Sequence, residues 1–94
     1  MKVIITEQQN ERLMDMMKKF AEQYADSESR LVKTEVEIRY NKPRDAYILR
    51  PTFYVKDKTS FPAHVYRHIL SQRVEEYFGV NVLSTNDADV IEVG

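Results

Sequence analysis

The sequence predicts one α+β domain over residues 1–94, in which two helices pack on one face of an antiparallel sheet. Two segments repeat apolar residues at the three- and four-residue spacing of amphipathic helices, and a third alternates apolar with charged residues as a half-buried strand does. Residues typical of turns separate these segments. The expected order is α-β-β-α-β-β, and packing both helices on one sheet face would bury every apolar stripe.

The first helix is expected over about residues 7–25. Its main apolar residues are Leu13, Met16, Met17, Phe20 and Tyr24. Thr6 and Gln9 match a capping box. The short apolar segment at 3–5 before them is expected to form either an edge strand or a hydrophobic staple onto this helix. Met14 lies outside the main stripe and widens the apolar arc. Met14 and Met16 are therefore candidates for an adaptable partner-binding surface, with core packing as the alternative.

A β-hairpin is expected next, with strands at about 32–41 and 46–56 joined by a turn around Pro43. One register places four pairs on the core face: Tyr40 with Tyr47, Ile38 with Leu49, Thr34 with Phe53, and Val32 with Val55. The same register sets Glu37 opposite Arg50 on the wet face. Because Pro51 has no N–H to donate, we expect the second strand to be a sheet edge or to carry a bulge there.

The second helix is expected to run to about Phe78, with Thr59 or Ser60 as its cap and Pro62 in its first turn. Its expected core residues are Ala63, Tyr66, Leu70, Val74 and Tyr77. Gly79 stands where a left-handed C-cap belongs. Short strands at 80–83 and 88–93 follow, separated by a turn at 84–87.

Charge is distributed unevenly along the chain, although the net charge is only −1. Residues 1–29 carry −2, residues 30–73 carry +6 and residues 74–94 carry −5. A basic middle and an acidic end can bind an anionic partner, join two copies of the chain, or neutralise each other within one molecule. The candidate partner-binding residues in the basic middle are Arg39, Lys42, Arg44, Arg50, Tyr54 and Lys56.

The sequence offers few residues suited to catalysis or to cofactor binding. The chain has no cysteine, and Gly79 is the only glycine before Gly94, which excludes thiol chemistry, cysteine-ligated zinc and glycine-rich phosphate loops. His64 and His68 have the four-residue spacing of a metal-binding pair, but a zinc site needs three or four ligands and no other histidine exists. We therefore expect no enzyme, no metal, no cofactor and no small-molecule substrate.

The expected compartment is the cytoplasm, of the host if the protein comes from a phage, or else the virion. No apolar run approaches the roughly 18 residues of a membrane-spanning helix. The apolar segment at 3–5 is too short for a signal-peptide core.

The first nine residues, Met-Lys-Val-Ile-Ile-Thr-Glu-Gln-Gln, resemble the start of short uncharacterised proteins of bacteriophages and marine bacteria. In those proteins a lysine, aliphatic residues and Thr-Glu-x-Gln precede an amphipathic helix. The resemblance implies a small phage or phage-like protein, a class in which binding and assembly roles outnumber enzymes. It implies no activity and no functional residues.

The predicted function is a non-enzymatic protein-interaction or assembly module that self-associates or docks on a larger protein. As a phage protein it would be a virion component or an inhibitor of a host protein, and the sequence does not separate the two. The alternative is a nucleic-acid-binding accessory protein that uses the basic hairpin around residues 39–58, where cations and aromatic residues alternate.

Overall fold

The computed structural model describes residues 7–83 and 88–93, and it confirms the α+β class, the single domain and the element order. The elements are helix α1 (Glu7–Asp26), strand β1 (Leu31–Asn41), strand β2 (Ala46–Val55), helix α2 (Ala63–Phe78), and strands β3 (Val82–Leu83) and β4 (Asp89–Glu92). Three expectations lie outside the described residues: the apolar segment at 3–5, the Thr6 cap and the turn at 84–87.

The hairpin of β1 and β2 has the predicted register over most of its length. The confirmed pairs are Tyr40 with Tyr47, Ile38 with Leu49, Glu37 with Arg50, and Thr34 with Phe53. The pairing of Val32 with Val55 is wrong, because an irregularity between Leu31 and Lys33 shifts the register and sets Leu31 opposite Val55. Val32 is consequently 53 % exposed instead of facing the core.

Strand β2 is central in the sheet, so the expectation that it forms an edge is wrong. It pairs antiparallel with β1 on one side and parallel with both β3 and β4 on the other. The sheet is therefore antiparallel over its long hairpin and parallel where the short strands join it. The parallel pairing follows from α2, which crosses back from the end of β2 to its start before the chain enters β3.

Pro51 fits a central strand because its nitrogen faces a break in the pairing. The amide of Val36, which lies opposite Pro51, donates outward to Glu22, so residues 36 and 51 do not share ladder hydrogen bonds. The nitrogen of Pro51 therefore points to the other side of β2. There the described strands pair with residues 47–48 and 52–55, and Pro51 lies between them. The missing N–H costs no ladder bond.

Helix α1 packs on β1 through small residues. Met17, Ala21 and Ala25 are fully buried, and the two alanines let the helix approach the strand closely. The buried stripe of α1 is therefore rotated about the helix axis, relative to the stripe that the large apolar side chains predict. Met16 is 57 % exposed, so placing it in the core was wrong, whereas Phe20 is partly buried beside α2.

Helix α2 buries Tyr66, Leu70 and Val74 as predicted. Tyr77 is predicted to lie in the core but is 70 % exposed, because its ring stacks on that of Phe20 with centroids 4.5 Å apart at the outer seam between the helices. The C-cap is confirmed: Gly79 has φ 67° and donates its N–H to the Glu75 carbonyl at 2.9 Å.

The start of α2 differs from the predicted cap. Pro62 occupies the N-cap position and no side chain caps the helix. The amide and hydroxyl of Thr59 instead donate to the Asp57 carboxylate at 3.0 and 2.7 Å. This places Thr59 and Ser60 in a separate 3₁₀ turn over Lys58–Ser60.

Candidate interaction site at the outer edge and open face of the sheet

Both described helices contribute to a single core on one face of the sheet, so neither of them covers the other face. The core-facing residues of β1 and β2 include Val36, Leu49 and Phe53. The intervening residues point the other way, and on β1 they are all charged: Lys33, Glu35, Glu37 and Arg39. We call the surface formed by these residues, by residues 48, 50, 52 and 54 of β2, and by Asp89 and Ile91 of β4 the open face.

The open face carries ion pairs along β1. Lys33 Nζ lies 3.1 Å from Glu35 Oε1, and Arg39 Nε lies 2.7 Å from Glu37 Oε1. The hydrogen bond between Lys33 and Glu35 lowers the pKa of the Glu35 carboxyl and raises the pKa of the Lys33 ammonium. Because these side chains are solvated, the pairs contribute little to stability. Their effect is to make the face mixed in sign.

The predicted neighbours Glu37 and Arg50 are opposite in register but bind other groups. Glu37 accepts from Arg39 of its own strand, and Arg50 reaches Asp89 of β4 at 4.0 Å. Each of the cations Lys33, Arg39 and Arg50 on this face therefore lies beside a carboxylate.

The outer edge of β1 is the longest edge of the sheet, and no other described strand pairs with it. Glu22 of α1 accepts a hydrogen bond from the Val36 N–H, with Oε2 3.0 Å from the nitrogen. Backbone groups of a strand alternate in direction, so the N–H and C=O of Thr34, Ile38 and Tyr40 also point outward. Among the hydrogen bonds of the described residues, the one from Val36 is the only bond made by these outward amides.

A groove of about 520 Å³ lies beside this edge. Its lining residues come from α1, β1, β2 and β4: Lys18, Glu22, Glu35, Val36, Glu37, Ile38, Arg50, Thr52 and Asp89. The groove joins the Glu22 side of the edge to the open face. An extended segment that paired with β1 would therefore meet polar backbone, alternating charges and the flank of α1.

The candidate residues in the basic middle do not converge on one site. Arg39 and Arg50 lie on the open face, and Tyr54 lies there with the Lys33 ammonium 5.7 Å from its ring centroid. Lys42 and Arg44 belong to the 3₁₀ turn at the tip of the hairpin, and Lys56 is exposed just after β2.

The two methionine candidates separate as well. Met14 is partly buried against the core, whereas Met16 is exposed on the outer side of α1, one turn from Phe20. His64 and His68 are both exposed on α2. Within the described ranges, no three His, Cys, Asp or Glu side chains are grouped so that they could hold a metal ion.

Sequence reasoning missed two residues that the structure places in unusual surroundings. Glu22 bonds an amide fourteen residues later, and no local pattern marks that contact. Arg67 is buried on α2, and here a signal existed: it lies four residues after Ala63 and three before Leu70, within the apolar stripe.

The chain matches no protein-family model, and a comparison with curated proteins finds no significant match. In the described part of the chain, neither helix has the length and apolar character needed to cross a membrane.

Proposed function

We propose that the chain is a small non-enzymatic protein-interaction module that pairs through the outer edge of β1, and that its partner there is β1 of a second copy. The observation that carries this proposal is the outer edge of an eleven-residue strand that no other described strand pairs with, beside an open groove. Exposed strand edges are templates for pairing with another chain. The phage-related forms of this function rest only on the N-terminal resemblance.

The charge pattern of β1 supports self-pairing in one antiparallel register. With Ile38 opposite Ile38 of the second copy, Glu37 faces Arg39 and Arg39 faces Glu37. Each opposite-charge pair contributes about 0.2–1 kcal/mol. Centring the pair on Val36 instead would set Glu35 against Glu37 and Lys33 against Arg39, and like charges directly opposite are destabilising.

A second complementary register, centred on Thr34, has poorer backbone geometry. It would set Lys33 against Glu35, but it would also use residues 31–33, where the strand is irregular. Irregular strand segments disrupt ladder bonding. The segment from 34 to 41 pairs regularly with β2, so the register centred on Ile38 is the one that we propose.

Nucleic-acid binding through the hairpin has narrower support. The cations without a carboxylate partner among the described residues include Lys42, Arg44 and Lys56, and they lie apart from the paired charges of the open face. A phosphate-binding surface needs several cations free to contact the backbone of the nucleic acid. Glu35, Glu37 and Asp89 oppose that role.

The decisive experiment is sedimentation equilibrium on charge variants of β1, from low to high micromolar protein. Glu37→Arg should weaken dimerisation, because the introduced guanidinium would face Arg39 of the second copy. The double variant E37R/R39E restores opposite charges across the interface and should restore dimerisation. Glu76→Arg, on an exposed part of α2, is the matched control and should behave as the wild type.

The outcomes separate the alternatives. A wild type that stays monomeric throughout this range would refute self-pairing and leave a foreign strand as the partner. Dimers that are indifferent to Glu37→Arg would place the interface elsewhere. A shift in fluorescence anisotropy of labelled nucleic acid, steeply weakened by salt and lost in K42E/R44E, would support the nucleic-acid alternative.

A further inference from the structure

Strand β1 begins with an irregularity that involves two adjacent aliphatic residues. Leu31 lies opposite Val55 and Lys33 lies opposite Tyr54, so Val32 is an extra residue between the two pairs. Leu31 packs against the core, whereas Val32 is 53 % exposed. A β-bulge of this kind leaves its extra residue unpaired and bends the strand.

A regular start of β1 is available to the same residues. From Lys33 onward the strand pairs with β2 without interruption. Continuing that register toward the N-terminus would set Val32 opposite Val55 and Leu31 opposite Lys56. Val55 is fully buried, so the residue opposite it on the core face must be apolar. Leu31 and Val32 both meet this requirement, and the pairing of residues 33–41 is the same in both arrangements.

The link between α1 and β1 permits the change. Helix α1 ends at Asp26, and the residue opposite Val55 would move from position 31 to position 32, which lengthens the connection by one residue. The helix therefore does not have to move along the sheet, because the longer connection can follow the same path.

Contacts of the connecting segment hold the observed arrangement. The Leu31 N–H donates to the Glu28 carbonyl at 3.2 Å, and Arg30 Nε lies 2.9 Å from Glu28 Oε1. The Arg30 guanidinium also lies over the Phe61 ring, 5.5 Å from its centroid. Leucine moreover buries more apolar area than valine in the same position. These contacts favour the bulged start over the regular one.

We propose that Leu31 and Val32 are alternative occupants of one core position, and that β1 changes between a bulged and a regular start by exchanging them. One consequence rests on the proposed self-pairing of β1, whereas the exchange itself does not. With a regular start, the outer edge continues through Leu31. The dimer register centred on Thr34 then has regular backbone and sets Lys33 against Glu35 of the second copy. The position of the bulge therefore selects between the registers centred on Ile38 and on Thr34.

Urea unfolding of the monomeric protein tests the exchange with Leu31→Ser, Val32→Ser and the double variant L31S/V32S. Val32→Ser should leave the urea midpoint almost unchanged, because Val32 is exposed. Leu31→Ser should lower the midpoint only in part, since Val32 takes the vacated position. The double variant has no apolar residue left for that position. Its midpoint should therefore fall by more than the sum of the two single decreases.

The neighbours Ile38 and Arg39 provide the matched control. They lie in the regular part of β1 and only Ile38 packs against the core, so the effects of Ile38→Ser and Arg39→Ser should add. In Leu31→Ser, a nuclear Overhauser contact between the methyl groups of Val32 and Val55 should appear. Additive effects of Leu31→Ser and Val32→Ser, an unfolded Leu31→Ser, or the absence of that contact would overturn the exchange.

Sedimentation equilibrium tests the consequence for the dimer. Leu31→Ser should restore dimerisation to Glu37→Arg, because the register centred on Thr34 no longer sets position 37 opposite Arg39. Adding Glu35→Lys should remove the rescue, since the new ammonium would face Lys33 of the second copy. An L31S/E37R variant that stays monomeric, while the wild type dimerises, would overturn the selection of register. A monomeric wild type would refute the proposed function, and the urea experiment would still decide the exchange.

Discussion

Glu22 provides the sharpest test of how the edge of β1 is controlled. Its carboxylate accepts the Val36 N–H at 3.0 Å and so ties α1 to the middle of the strand. A hydrogen bond to a charged group contributes about 1.5–3 kcal/mol, but water can replace this partly buried acceptor at an open edge. We therefore expect Glu22→Ala to lower the free energy of unfolding by about 1 kcal/mol, which corresponds to a Tm decrease of roughly 4–8 °C.

The same substitution should have the opposite effect on assembly. In the proposed dimer the Val36 N–H pairs with Tyr40 of the second copy, so the Glu22 contact must break first. Removing the carboxylate removes that competition in both copies, and the resulting total of about 2 kcal/mol corresponds to a roughly thirtyfold lower dissociation constant of the dimer. Glu22 would then stabilise the monomer and restrain its self-association.

Two measurements on Glu22→Ala check this reasoning: urea unfolding at a protein concentration low enough to keep the chain monomeric, and sedimentation equilibrium at higher concentrations. Glu22→Gln is the matched control, because its amide oxygen can still accept the Val36 N–H, and both effects should be smaller. An unchanged stability in Glu22→Ala would show that the contact contributes nothing. Weaker dimerisation of Glu22→Ala would show that Glu22 contributes to the dimer interface and does not compete with dimerisation.

Two further predictions concern the core. Leu70→Ala should lower the free energy of unfolding by about 2–5 kcal/mol, because Leu70 is fully buried. Phe20→Ala should lower it by less, because Phe20 lies at the exposed seam against Tyr77. Urea unfolding of both variants measures the difference. Burial raises the pKa of Tyr66 to about 12, so the folded state holds this proton where the unfolded state has released it, and stability should fall as the pH rises from about 10 to about 12. Tyr66→Phe should flatten that decline in urea unfolding across this range, and an unchanged slope would assign it to other groups.

The parts of the fold that depend on local pattern were predictable from sequence. The alternation from residue 33 to 40 and the turn around Pro43 determine the hairpin register, because a one-residue slip would exchange its two faces. The register failed only at Val32, where one irregular residue changes the phase of the strand. The C-cap at Gly79 was equally predictable from the sequence, because a helix end in the left-handed conformation favours glycine.

The sheet topology was not predictable in the same way, because it depends on contacts between distant segments. Pro51 favours an edge strand on local grounds, yet the proline is accommodated by a break between two short parallel strands. Hydrophobic size also misled the assignment of the α1 face. Ala21 and Ala25 form the close contact with β1, and the larger Met16 is left exposed.

The two residues that the sequence analysis missed, Arg67 and Glu22, differ in how far the sequence alone could have identified them. The sequence shows that Arg67 lies within the apolar stripe of α2, because it follows Ala63 by four residues and precedes Leu70 by three. Whether such a cation has a partner depends on every element packed around it, and that requires the folded chain. No sequence pattern identifies Glu22, because its contact with Val36 depends on where along β1 the helix α1 packs.

The asymmetry of the sheet decides which edge can serve a partner. A segment that adds to a sheet binds through a continuous row of outward backbone groups, so strand length limits the bonds it can form. On one side of β2, the described strands are only two and four residues long, and short edge strands protect a sheet against pairing. On the other side, β1 presents eleven residues, alternating charges and one amide occupied by Glu22. Each of these features of β1 either restrains pairing in the monomer or selects its register in a pair, and Glu22→Ala and E37R/R39E separate the two effects.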